Sequence, residues 1–166
     1  MNYVDTSVVI SAMDTSMRSR SREATTLLAN TREKVVSELF LVELAASISR
    51  KPELISAVPI EDTQPSTVLL AYLIYLMSKY DLKLLPPPVE QVATPFGKVD
   101  VESGSCLAFA SDVKLRSLDL LHVAHLISLK NRGFNIEVLL TSDSDFSKAQ
   151  RFLKEHEVKL IVLGSE

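Results

Sequence analysis

Five stretches of the chain are short and apolar without interruption, and the segments between them repeat apolar residues at helical spacing. The short stretches are "NYVD" (2–5), "EKVVS" (33–37), "LKLLPPP" (82–88), "NIEVLLTSD" (135–143) and "VKLIVLG" (158–164). Runs such as Val138-Leu139-Leu140 suit strands covered on both faces, since a half-exposed strand alternates apolar with polar. Between them, 6–13, 21–31, 37–51, 66–80, 105–115, 117–133 and 144–156 read as helices. The helix "SELFLVELAASISRK" is apolar almost all round and has no Gly or Pro before Pro52, so a largely buried helix is predicted. In "SLDLLHVAHLISLKNRG", Leu120, Leu121, Ala124 and Ile127 recur at three and four, and Gly133 closes the helix.

The remaining segments read as connections. "DTSMRSRSRE" (14–23) is a polar, basic loop, and 52–66 is a Pro-punctuated link. "PPPVEQVATPFGKVDVESGS" (86–105) is a long loop with room for a short hairpin or an ordered turn. The alternation of strand and helix predicts an α/β fold of three layers: a short parallel sheet of about five strands between helices, one domain over 1–166.

Composition narrows the classes. With 46% apolar and 23% charged residues in 166, the chain can bury a core and is not disordered. A net charge of −3 excludes a global polycation, so nucleic acid would have to meet a local basic patch. One cysteine, Cys106, cannot form an internal disulfide and reads as a small apolar helix residue. No run approaches the ~20 apolar residues of a membrane span, and Asp5 interrupts the apolar N-terminus where a signal peptide would be continuous. A soluble, cytoplasmic protein with no membrane association is the expectation.

Four carboxylates stand out by context. Asp5 ends the first strand, inside an apolar run where an unpaired charge is costly. Asp143, with Asp145 close by, follows the strand 135–143. Asp119 opens a helix. Each of these three Asp also suits a helix N-cap or first turn. Glu43 lies too deep in its helix for a cap and needs a partner, such as Arg50 or Lys51, or a chemical role. In a parallel sheet the ligand crevice lies at the carboxyl ends of the strands, which places Asp5 and Asp143 on one rim. Several carboxylates on one rim repel each other, and a hard divalent cation relieves that repulsion. Such a centre activates water for phosphodiester cleavage.

"YVDTSVVI", "SELFLVELAASISR", "LRSLDLLHVAHLI" and "VLLTSDSDF", in this order, resemble the PIN-domain nucleases and, within them, the toxins of VapBC-type toxin–antitoxin pairs. The likeness spans nearly the whole chain. It implies Mg²⁺- or Mn²⁺-dependent cleavage of RNA, leaving 5′-phosphate and 3′-hydroxyl ends. By position, Asp5, Glu43, Asp119 and Asp143 would be the catalytic, metal-binding acids, with Asp145 a further acid. Thr6, Ser7 and Thr141 would orient carboxylates or water. The likeness also implies an antitoxin partner and a homodimer, to which the apolar helix 66–80 could contribute. Segments 51–65 and 86–100 exceed the compact members of the family.

Arg18, Arg20 and Arg22 are the candidate RNA-binding cations, with Lys114 and Arg116 a second pair. His122 and His125 share a helix face; a hydrogen bond from His122 to Asp119 is expected, and His125 as a packed or half-exposed residue. Haloacid-dehalogenase phosphotransferases also begin with a strand-end Asp, but Ser7 stands where they need a second one. A phosphoacceptor receiver domain needs a strand-end Lys where Thr141 stands. A stand-alone RNA-processing nuclease and an inactive PIN-like scaffold are the other readings.

Overall fold

A computed structural model describes residues 1–51, 54 and 64–164. The chain runs β1 (Asn2–Val4), α1 (Thr6–Met13), α2 (Arg18–Asn30), β2 (Lys34–Val36), α3 (Glu38–Arg50), α4 (Pro65–Lys79) and β3 (Leu82–Leu84). It continues β4 (Gln91–Thr94), β5 (Gly97–Asp100), α5 (Val101–Val113), α6 (Ser117–Asn131), β6 (Val138–Thr141), a 3-10 helix (Ser144–Ala149), α7 (Gln150–Glu155) and β7 (Lys159–Val162). The main sheet has five strands in the order β3-β2-β1-β6-β7, all parallel. This is the α/β architecture expected from the continuous apolar runs. Tyr3, Val4, Val35, Val36, Leu139 and Leu140 are all buried, because helices cover both faces.

The two faces hold separate cores. On one, Val8, Val9, Leu28, Phe40, Leu44, Ile48, Leu73 and Leu76 bring α1 to α4 against the sheet. On the other, Val113, Val123, Leu126, Phe146 and Leu153 bring α5, α6, the 3-10 helix and α7 against it. The strand order reverses at β1, which pairs β2 on one side and β6 on the other. A crevice therefore opens at the carboxyl ends of β1 and β6. Val4 is level with Leu140, and the Asp5 amide continues the ladder by donating to the Leu140 carbonyl at 2.9 Å. The sheet thus sets the height at which Asp5 leaves it.

Three local features differ from the sequence reading. The basic stretch predicted as a loop is the first turns of α2. Its alternating Arg and Ser carry no apolar periodicity, but Ala24 and Leu28 anchor the helix in the core and Ser21 Oγ donates to the Ala12 carbonyl at 2.9 Å. Helix α3 is buried on one side only, with Val42 66% exposed. Segment 86–105 is a β4–β5 hairpin and the start of α5, whose first turn is capped by Asp100 accepting from the Ser103 amide at 2.8 Å. Gly97, at φ +111°, makes the hairpin turn that an L side chain would strain.

Gly104 is where α5 meets the hairpin, and a Cβ there would lie 2.2 Å from Val92 Cγ2. Gly to Ala inside a helix ordinarily stabilises by about 1 kcal/mol. Here overpacking against a stiff β-branched side chain costs about 1–3 kcal/mol and wins. Gly104→Ala is therefore expected to lower the melting temperature, and Gly104→Ala/Val92→Ala to recover it; denaturation of the three proteins checks this.

Candidate metal centre

Asp5 occupies the N-cap position of α1 yet its side chain caps nothing. Its Oδ2 instead accepts from Thr141 Oγ1 at 2.8 Å and from Ser7 Oγ. Thr141 ends β6 and is wholly buried. Its hydroxyl also accepts from the Asp143 amide at 3.0 Å, and the Ser142 amide donates to Ser7 Oγ at 2.9 Å. The two loops that leave β1 and β6 are therefore laced together by hydroxyls, and Asp5 is held 4% exposed between them.

Glu43 projects from the second turn of α3. Its Oε2 accepts from Thr6 Oγ1 at 2.6 Å and sits 2.8 Å from His122 Nε2. Neither Arg50 nor Lys51 pairs with it: Lys51 lies 3.9 Å from Asp14. Burial pushes the Glu43 carboxyl up, but the hydrogen bonds from His122 and Thr6 outweigh it and hold the group below its ordinary value. Asp119 is in the first turn of α6. Burial, then the charges of Asp5, Asp143 and Glu43, push its carboxyl up to about 6. The rise means that these four acids sense one another. Asp143 caps the 3-10 helix by accepting from the Asp145 amide at 2.8 Å.

One cavity of about 290 Å³ is lined by Asp5, Glu43, Asp119 and Asp143, together with Thr6, Ser7, Leu118 and Arg50. Asp145 does not line it. Its carboxylate is held by Lys148 at 2.8 Å and lies 3.7 Å from Arg116, and the bond from Lys148 keeps it below the ordinary carboxylate range. The arginines separate as well. Arg20 donates to the Ser142 carbonyl and lines an adjoining depression of about 430 Å³ that shares Ser7, Ile10 and Asp143 with the acid cavity. Arg18 and Arg22 face a different groove, beside β7. Alternate positions on a helix point apart, so the three cannot act as one patch.

His122 departs from its expected partner. It bonds Glu43 and the Tyr3 hydroxyl rather than Asp119, and lies 3.7 Å from Asp5 Oδ1. The i, i+3 link along α6 loses to contacts from β1 and α3. Burial lowers its pKa, but the bond to Glu43 and the charges of Asp5, Glu43 and Asp119 raise it overall. His125 is wholly buried, with Nδ1 bonded to the Glu102 carboxylate on α5, so the two histidines serve different elements. The sequence signal for His122 was a polar residue set within "LLHVAHL"; for the contact of Tyr3 with it there was none, and Arg50 was singled out only as a partner for Glu43.

The donor set fits a hard dication. Asp5 and Glu43 each have one oxygen satisfied by protein hydroxyls or imidazole, and among the described residues no protein donor bonds Asp5 Oδ1 or Glu43 Oε1. Single atoms of Asp5, Glu43 and His122 come within 4.8 Å of one another. Converging carboxylate oxygens with like-charge strain are the chemistry that Mg²⁺ or Mn²⁺ neutralises.

A parallel sheet with four acids gathered at its switch point defines the class of site that the chain carries. The chain belongs to the PIN domain family, whose model matches residues 3–151 and so spans all four acids. Two solved structures share the fold. VapBC2 from Rickettsia felis, bound to a DNA fragment from its promoter, has 15% identity and a TM-score of 0.54 over 98% of both chains. VapC20 from Mycobacterium tuberculosis, a sarcin-ricin loop cleaving toxin, has 16% identity and a TM-score of 0.55, over 90% of this chain and 95% of that one. No curated protein matches the sequence significantly. Among the described residues, no helix is long and apolar enough to cross a membrane.

Proposed function

We propose that the protein is a divalent-cation-dependent endoribonuclease and the toxin of a VapBC-type pair. The observation that carries this reading is the gathering of Asp5, Glu43, Asp119 and Asp143 on one cavity at the sheet's switch point. A cation held there supplies activation of the attacking water and neutralises charge on the leaving oxygen. Asp5 and Glu43 would hold it through the oxygens that the protein leaves free, with Asp143 on the same cavity. Thr6, Ser7 and Thr141 orient the carboxylates. Asp119 lines the same cavity and is suited to accept the water proton at a carboxylate oxygen. Cleavage leaves 5′-phosphate and 3′-hydroxyl ends, as the family resemblance implies.

The two neighbours support the toxin reading: one is named as a VapBC pair and the other as an RNA-cleaving toxin. An antitoxin and a second copy are the proposed partners in the cytoplasm. Helix α4 offers them an apolar face, with Leu70 61%, Ile74 70% and Tyr75 51% exposed. The test is cleavage of a panel of tRNA and rRNA substrates with Mn²⁺ and with chelator. RNA cut only with the metal supports the reading; cleavage that persists in chelator, or none on any substrate, contradicts it.

Arg50 lines the acid cavity and Arg20 the adjoining depression, and we propose that they meet RNA phosphates there. Arg50→Ala is expected to raise KM several-fold at nearly constant kcat and to lower the slope of log affinity against log salt by about 0.7. Arg18→Ala and Arg22→Ala should stay within about twofold of wild type, as expected for exposed cations without a phosphate contact. Steady-state cleavage at several salt concentrations measures all three.

A further inference from the structure

We propose that Tyr3 and His122 form a buried positioning relay that fixes one oxygen of Glu43 to the protein and leaves the other for the cation. The inference rests on the reading of this cavity as a cation-dependent nuclease centre. Tyr3 lies in β1 and is wholly buried, and His122 in α6 is 1% exposed. The Tyr3 hydroxyl is 2.9 Å from His122 Nδ1, and His122 Nε2 is 2.8 Å from Glu43 Oε2. The Tyr3 hydroxyl can donate to Nδ1 of a neutral imidazole or accept from Nδ1 of an imidazolium. In either state the ring carries a proton on Nε2, where it donates to Glu43. The other tautomer would turn an Nε2 lone pair toward a carboxylate oxygen 2.8 Å away.

The hydroxyl of Tyr3 therefore holds the ring, and the ring orients the acid. Thr6 Oγ1 donates to the same Oε2 at 2.6 Å, so both protein donors converge on one oxygen. Glu43 is longer than the three Asp around the cavity, so fixing it costs more rotamer entropy. The relay meets that cost on folding, before any cation arrives. The Tyr3 ring has little room to swing: it meets the His122 and His125 rings at 6.0 Å each. The relay connects β1, α6 and α3, three elements that each carry or adjoin a site acid.

The test is calorimetric titration of the metal-free protein with Mn²⁺, alongside kcat and KM on RNA and melting in chelator. Wild type should bind Mn²⁺ saturably. His122→Leu should weaken binding by about 10–100-fold and lower kcat with little change in KM. His122→Gln can accept from Tyr3 and donate to Glu43 with one amide, and should return affinity to within about threefold of wild type. Tyr3→Phe should weaken binding about fivefold, and adding it to His122→Leu should cost nothing further, because Tyr3 acts through His122. Melting curves establish that each variant is folded at the assay temperature. If wild type binds and His122→Leu binds equally, or if the two losses multiply, the relay is overturned while the nuclease reading stands. If wild type binds no Mn²⁺, both fall.

Discussion

Asp5→Asn should abolish cleavage while leaving the fold intact. The substitution keeps the shape of the side chain and an oxygen that can accept from Thr141 and Ser7. It removes one charge from a cavity lined by four acids. A cation stabilises the reaction by several kcal/mol, and each 1.4 kcal/mol is tenfold in rate, so the loss should reach about three orders of magnitude. Stability in chelator should hold or rise, because a buried negative charge with like-charged neighbours is gone. Single-turnover cleavage and denaturation of the same preparations check both halves. Loss of cleavage together with loss of the fold would assign Asp5 to structure instead.

Without a cation, the contribution of Asp119 to stability should fall as pH rises from about 4 to 6. The Asp119 carboxyl stands near 6 in the folded chain, above the ordinary value of 3.8. A raised carboxyl binds its proton more tightly when folded, so protonation favours the native state at low pH and that contribution is lost as pH climbs through 6. Two pH units correspond to about 3 kcal/mol as an upper bound; the group is half open to water, and screening reduces this to about 1–2 kcal/mol. Asp119→Asn should remove the descent and stabilise the metal-free protein at pH 7, and Mn²⁺ should remove it in wild type. His122, also raised, acts in the same direction at higher pH, whereas Glu43, lowered, loses its contribution as pH falls. The difference between wild type and Asp119→Asn isolates Asp119. Chemical denaturation in chelator at pH 4, 5, 6 and 7 measures it.

The sheet was legible because β1, β2, β3, β6 and β7 are continuous apolar runs, and such runs pair only where both faces are covered. Asp5 in "YVDTSVV" and Glu43 in "FLVELAA" were legible because each interrupts an apolar run, and Asp119 and Asp143 because they stand at element ends. Apolar spacing found α4 and α6, but it missed the first turns of α2, where no apolar residue recurs. Arg18 to Arg22 form a helix through contacts made further along it, at Ala24 and Leu28. The apolar surface of α3 is partly open, with Val42 at the mouth of the acid cavity rather than in the core. Hydrogen-bond partners were the least legible. His122 reaches Glu43 across 79 positions and Tyr3 across 119, and only the folded sheet brings them together. The cap reading of Asp5 failed for the same reason, since Thr141 lies 136 residues away.

Diffraction from crystals soaked in Mn²⁺ addresses the central claim most directly, because the ion's anomalous signal locates it without assuming an activity. A peak within about 2.0–2.3 Å of carboxylate oxygens from Asp5 and Glu43, and within reach of Asp119 and Asp143, is the predicted result. An acid cavity that shows no peak at millimolar Mn²⁺, or a peak only at surface carboxylates such as Asp145, would contradict the account.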